Sequence, residues 1–192
     1  MPTPHSQPPS PILHLPKSNT TIRPFHSTPL EATTFSCHGN NKSISKNMRN
    51  AFPHPYTPQD ATNWFSFTAS QNPRYDFAIA DAETNTAIGA VGLKPRADVQ
   101  YRSMEIGYWV GQDYWGRGIA TEVVVAFSKW AFGEFERVNR LEAEVFEGNE
   151  GSRRVLEKAG YILEGRKRRA VEKDGVVLDT FLYSLLREEA GV

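Results

Sequence analysis

Residues 103 to 132 change hydrophobic period in mid-course, and that change constrains the fold more than any other feature of the chain. Met104, Ile106, Tyr108 and Val110 alternate with Glu105, Gly107 and Trp109, the period-two pattern of a strand with one apolar face. From residue 119 the apolar positions are 119, 120, 123, 124, 127, 130 and 131, a stripe of helical period that stops at Gly133. A strand therefore enters a helix through Gly111-Gln112-Asp113-Tyr114-Trp115-Gly116-Arg117-Gly118. Gly116 and Gly118 let the backbone turn sharply and bring peptide N–H groups toward an anion, with the positive end of the helix aimed at the same point. Alone, a Gly-x-Gly ahead of a helix fits a bare turn as well as an anion site. Other nucleotide motifs do not fit, because no Gly-Lys-Ser/Thr and no third glycine are present.

The flanking sequence supplies the rest of a mixed α/β domain of α+β type. A short strand is expected from Thr20 to Phe25, and two short helices over 30–50 with Gly39-Asn40-Asn41 between them. Pro53, Pro55 and Pro58 fix an extended loop, after which Ala61, Trp64, Phe65 and Thr68 take helical spacing. The segments 75–81 and 87–93 read as a hairpin, 141–146 as a strand, and 149–159 as a helix closed by Gly160. Strands at 161–167 and 176–186 follow, joined through Lys173-Asp174-Gly175. Residues 1–18 hold six prolines and are expected to form a loose tail, leaving 19–190 as one domain.

Composition narrows the function classes. Lys+Arg and Asp+Glu are equal at 22 each, so the overall attraction used by general nucleic-acid or membrane binders is missing and neither partner is expected. One cysteine, Cys37, and five scattered histidines offer no metal-ligand cluster, so no metal is expected. No apolar run reaches about 18 residues, and a cytoplasmic protein is the expectation.

Three ordered blocks carry a resemblance. Glu105-Ile106-Gly107-Tyr108-Trp109-Val110, then residues 114–122, then Asn149 to Tyr161 are together similar to the GNAT acetyltransferase superfamily, and within it to its RimJ/RimL-like branch. The likeness extends over roughly residues 20–187. It implies a central, mostly antiparallel sheet of six to seven strands, splayed at the coenzyme site and flanked by helices. It further implies acetyl-CoA as cosubstrate, held by the amides of Trp115, Gly116, Arg117, Gly118, Ile119 and Ala120 and by the Thr121 hydroxyl. The backbone of Tyr108, Trp109 and Val110 would pair with the pantetheine arm, with the Val110 amide as oxyanion donor. Asn149 would contact that arm while capping its own helix. Asp113 departs from the family's Arg or Gln, which leaves Gln112 or Arg117 as the side chains nearest in role.

The reaction so implied is acetyl transfer to a primary amine, and chemistry favours an α-amine. At pH 7.4 an α-amine of pKa about 8 is roughly a fifth neutral, whereas a lysine is neutral in about one molecule in a thousand. Glu105 is the candidate base, directly or through water, and Ser152 the candidate proton donor to the thiolate. Each also has a bland reading, as a solvated strand glutamate and as a first-turn serine bonded locally. A small-molecule amine acceptor, or a silent acyl-CoA-binding protein of the same fold, stays open, as does the choice between monomer and homodimer. Tyr161 reads as core, Arg166-Lys167-Arg168-Arg169 as a solvated face, and Trp64, Phe65 and Phe67 as helix packing or cleft lining.

Overall fold

Local chemistry sets where the helices begin. In the computed structural model, which describes residues 10–192, Thr28 accepts a hydrogen bond from the Glu31 amide and starts α1 (Pro29–Gly39). Asn41 does the same for Ser43 at the head of α2 (Lys42–Ser45). Thr57 and Asp60 form a reciprocal capping box for α3 (Pro58–Ser70), with Pro58 in the first turn where its missing N–H costs nothing. Two further helices, α4 (Ile119–Glu134) and α5 (Glu150–Lys158), complete the set.

The strands are β1 (Leu13–Leu15), β2 (Thr20–Arg23), β3 (Asp76–Asp81), β4 (Ala87–Pro95), β5 (Ser103–Val110), β6 (Arg140–Phe146), β7 (Ile162–Lys173) and β8 (Val176–Leu186). They form one sheet in the order β1-β2-β3-β4-β5-β6-β8-β7, antiparallel throughout except for β5 and β6. Eight strands replace the six to seven expected. The extra one falls inside the segment read as a loose tail: Leu13, His14 and Leu15 pair with Ile22, Thr21 and Thr20, and Leu15 is buried. Pro11 and Pro16 bracket a proline-free stretch just long enough to pair, and the Glu122 carboxylate of α4 accepts the Lys17 and Ser18 amides behind it. The remainder of the expected tail, residues 1–9, lies outside the described residues.

Each face of the sheet carries its own core. One face packs Ile79, Ile88, Val91, Ile106, Leu141 and Tyr183 against Val123, Val124 and Phe127 of α4. The other packs Ala78, Ala90 and Trp109 against Phe35 of α1 and Phe65 of α3, with the Phe35 and Trp109 rings 4.9 Å apart. Burying both faces explains the near-continuous apolar run of β4, where burial extends from Ala87 to Leu93. Among the described residues no helix is long and apolar enough to cross a membrane.

Candidate coenzyme and acceptor site

Strands β5 and β6 pair only at Ser103, Met104 and Glu105, opposite Arg140, Leu141 and Glu142. Beyond Glu105 they part, while β5 stays paired with β4 to Val110 and β6 with β8 to Phe146. The result is a slot in the middle of the sheet. Backbone parity decides what faces it. The Gly111 amide donates to the Ile88 carbonyl, so in this antiparallel ladder Trp109 and Gly107 are the residues bonded to β4. The amides and carbonyls of Ile106, Tyr108 and Val110 then point the other way, into the slot. This corrects one expectation. Trp109, counted with Tyr108 and Val110 as a backbone partner for the pantetheine arm, is bonded to β4 instead, and its side chain belongs to the core against α1 and α3.

The slot ends on the glycine turn. Gly116 and Gly118 have φ of 76° and 78°, and a Cβ at either would meet nothing within 4 Å. The bend is open rather than filled by the protein's own side chains. Gly118 is the N-cap of α4 and no side chain caps that end. The first helical bond runs from the Glu122 amide to the Gly118 carbonyl, and among the described residues no protein acceptor takes the amides of Gly116, Arg117, Gly118, Ile119, Ala120 or Thr121. Six donors without a protein acceptor thus lie together at the positive end of the helix dipole. The Trp115 amide drops out of the cradle, because it closes the preceding turn onto the Gln112 carbonyl at 3.0 Å. Its indole donates instead to the Val110 carbonyl at 2.7 Å, a contact across the slot mouth that sequence alone did not suggest.

Both side chains offered as substitutes for the missing Arg or Gln are held by the protein. Gln112 accepts from the Asn41 side chain at 2.6 Å, and Arg117 donates to the Asp113 carbonyl at 2.7 Å with its guanidinium over the Tyr114 ring. Main-chain amides, not these side chains, are what the turn presents to an anion.

Across the slot, Asn149 caps α5 by accepting from the Ser152 amide at 3.2 Å. The Ser152 hydroxyl lies 2.9 Å from that of Tyr108, which reaches over from β5. Burial pushes the Tyr108 phenol well above the ordinary tyrosine range, with the Ser152 bond opposing it only in part, so the phenol keeps its proton at neutral pH. Tyr108 therefore enters the site by its side chain as well as its backbone. Tyr161 is buried in the core, its hydroxyl 2.8 Å from that of Ser128, as expected.

Glu105 faces the opposite side of the sheet, toward α1 to α3. Its carboxylate is held from both ends: one oxygen by the Arg49 guanidinium and the other by Arg96 at 3.2 Å. Neither arginine had a local signal, since they reach Glu105 from 56 and 9 residues away. Arg96 also binds Glu142 at 2.5 Å, and Glu144 pairs with Lys167 at 3.2 Å. Arg166 is likewise paired, with Glu147 and Asp179, so half of the basic run is engaged by acids of β6, β8 and the loop after β6. Trp64 and Phe67 line the cleft while Phe65 is buried beneath them.

Slot, turn and acceptor face join in one cleft of about 1890 Å³, well above the 300–1,000 Å³ of a typical single-ligand pocket. Among the described residues no group of three His, Cys, Asp or Glu side chains is placed to hold a metal ion.

Fold and site together define a class: a mixed sheet parted over a two-sided cleft, with a helix end that no side chain caps. Residues 19–162 match the acetyltransferase (GNAT) domain family, and the chain belongs to it. A relative from Bacillus subtilis, "Probable N-acetyltransferase YjcK", is 35% identical over 119 residues, 62% of this chain and 65% of that protein, so the match spans just under two thirds of the relative's length. Among solved structures, RimJ of Mycobacterium smegmatis in complex with a CoA-disulfide superposes with a TM-score of 0.77 at 23% identity, covering 90% of this chain and 85% of that one. The ribosomal-protein-S5-alanine acetyltransferase of Vibrio fischeri gives 0.74 at 21% identity, covering 88% and 94%. These two likenesses carry the fold.

Proposed function

We propose that the protein transfers the acetyl group of acetyl-CoA to a primary amine, and that the amine is the N-terminal α-amine of a protein or peptide. The observation that carries this reading is the parted strand pair leading to an open bend with six unpaired amides. A diphosphate fits such donors, and an extended arm fits the slot-facing backbone of Tyr108 and Val110 as an added strand would. The solved neighbour with bound CoA and the neighbour named for ribosomal protein S5 alanine support the coenzyme and the α-amine respectively.

Bound acetyl-CoA would supply the acetyl group as a thioester. The Val110 amide, which faces the slot, would be the donor to negative charge growing on the carbonyl oxygen. Ser152 gives its hydroxyl proton to the departing sulfur, and the protonated Tyr108 phenol stands behind it as donor. Holding both substrates in one cleft provides the remainder of the acceleration. With both oxygens of Glu105 on arginines, direct proton removal from the amine is disfavoured, and a role through water is what the geometry leaves. Glu105→Gln is therefore expected to lower kcat/KM by no more than about tenfold at pH 7.4, with a loss that shrinks toward pH 9 as the α-amine deprotonates unaided. A pH profile of both proteins checks this, and a loss of a thousandfold or more would make Glu105 the direct base. The function itself is tested by following thiol release from acetyl-CoA against N-terminal peptides and free amines. Turnover confined to small amines would overturn the α-amine assignment.

A further inference from the structure

The acceptor face holds a carboxylate that the reaction as described does not use. Asp76 of β3, Gly92 of β4 and Gly107 of β5 stand in register across three strands and share the face that looks toward α1 to α3. With no side chain at 92 or 107, they form the floor of a trough that runs from Asp76 to the edge of the slot, and all three residues line the cleft. A Cβ on Gly107 would meet nothing within 4 Å, so the trough is open at its slot end. A Cβ on Gly92 would sit 2.0 Å from Asp76 Oδ1, so the carboxylate lies over β4 and depends on glycine there.

The orientation of Asp76 is fixed. Gln71, at the end of α3, donates to Oδ2 at 2.6 Å and accepts from the Tyr75 and Asp76 amides at 3.0 and 3.3 Å. Oδ1 takes no hydrogen bond among the described residues. Glu105, Glu142 and Glu144 nearby all carry an arginine or lysine partner, yet Asp76 has no cationic side chain within 4.0 Å among the described residues. Lys94 shares its face two positions beyond Gly92 without pairing to it. Burial raises the Asp76 carboxyl above the ordinary range, the mark of a desolvated charge that an incoming cation would stabilise. Trp64 and Phe67, aromatic side chains of the kind a cation can contact, line the same cleft.

We propose that Asp76 receives a second cationic group of the acceptor, about 10 Å, or two strand spacings, from the amine that is acetylated. This rests on the acetyl-transfer reading and deepens it: the preferred acceptor carries two cations, as an N-terminal peptide with a basic side chain or a linear diamine does. Asp76 is then a specificity residue and takes no part in the bond-making step.

The test uses the full chain with CoA bound and two matched pairs of probes. These are Ser-Lys-Ala-Ala-amide against the same peptide with norleucine, and 1,7-diaminoheptane, whose nitrogens reach about two strand spacings apart, against heptylamine. Calorimetry is expected to give at least a tenfold tighter Kd for the dicationic member of one pair in the native protein, and that pair identifies the source. Asp76→Asn should erase the preference while leaving CoA affinity unchanged. Gly92→Ala, which keeps the charge but pushes Oδ1 aside, should reduce it. A preference of equal size in native protein and Asp76→Asn, or no preference in either pair, would overturn the proposal. Because the readout is binding, absence of turnover with every amine would count against the proposed activity alone.

Discussion

Gly118→Glu is expected to weaken acetyl-CoA binding by at least about 100-fold, or about 2.7 kcal/mol. The glutamate would place a carboxylate at the N-terminus of α4, where six amides have no protein acceptor and a diphosphate would otherwise sit. Nothing lies within 4 Å of the new Cβ, so packing is not disturbed. The left-handed backbone at φ 78° does strain a non-glycine residue, by about 1–3 kcal/mol. Gly118→Asn separates the two effects, because asparagine tolerates that conformation without adding charge. Calorimetry with both variants, alongside thermal melts, is expected to give near-normal affinity for the asparagine protein and binding at least about 100-fold weaker for the glutamate protein. Equal affinity in all three would mean that the anion binds elsewhere.

Ser152→Ala is expected to lower kcat by about 10- to 100-fold while changing acetyl-CoA affinity less than about threefold. The hydroxyl is 2.9 Å from Tyr108, but α5 does not depend on it for capping, since Asn149 performs that task through the Ser152 amide. Tyr108→Phe removes the donor behind Ser152 and should give a smaller fall in kcat. A drop in thermal stability with kcat unchanged would return Ser152 and Tyr108 to a purely structural pairing. Thiol-release kinetics at saturating acetyl-CoA distinguish the two.

The parts of this site that were legible in the sequence are those written locally. The alternation at 103–110 and the stripe at 119–131 gave β5, α4 and the turn between them, because each pattern spans a whole element with one buried face. Asn149 and Ser152 stand three apart and make a recognisable cap. What escaped depends on pairing between distant segments. Backbone parity along β5 is set by the β4 register, so no pattern within 103–110 reveals that Trp109 turns from the slot while Val110 faces it. The arginines on Glu105 come from the loop after α2 and from the position just after β4, and the Tyr108–Ser152 bond spans 44 residues. β7 runs to Lys173 rather than stopping near 167, because its exposed, charged residues show no apolar alternation and Arg169, at φ 52°, interrupts the ladder with a register shift. β1 was hidden by the prolines on either side of it.

The central claim is that main-chain amides of the turn and of alternate β5 residues hold the coenzyme. Titrating CoA into the full chain and following backbone amide resonances by NMR reads those groups one by one. The account predicts the largest shifts at Gly116 to Thr121 and at Tyr108 and Val110, with Gly107 and Trp109, whose amides are bonded to β4, shifting least along that strand. Shifts clustered elsewhere on the protein, with the turn and Val110 unmoved at saturation, would contradict it.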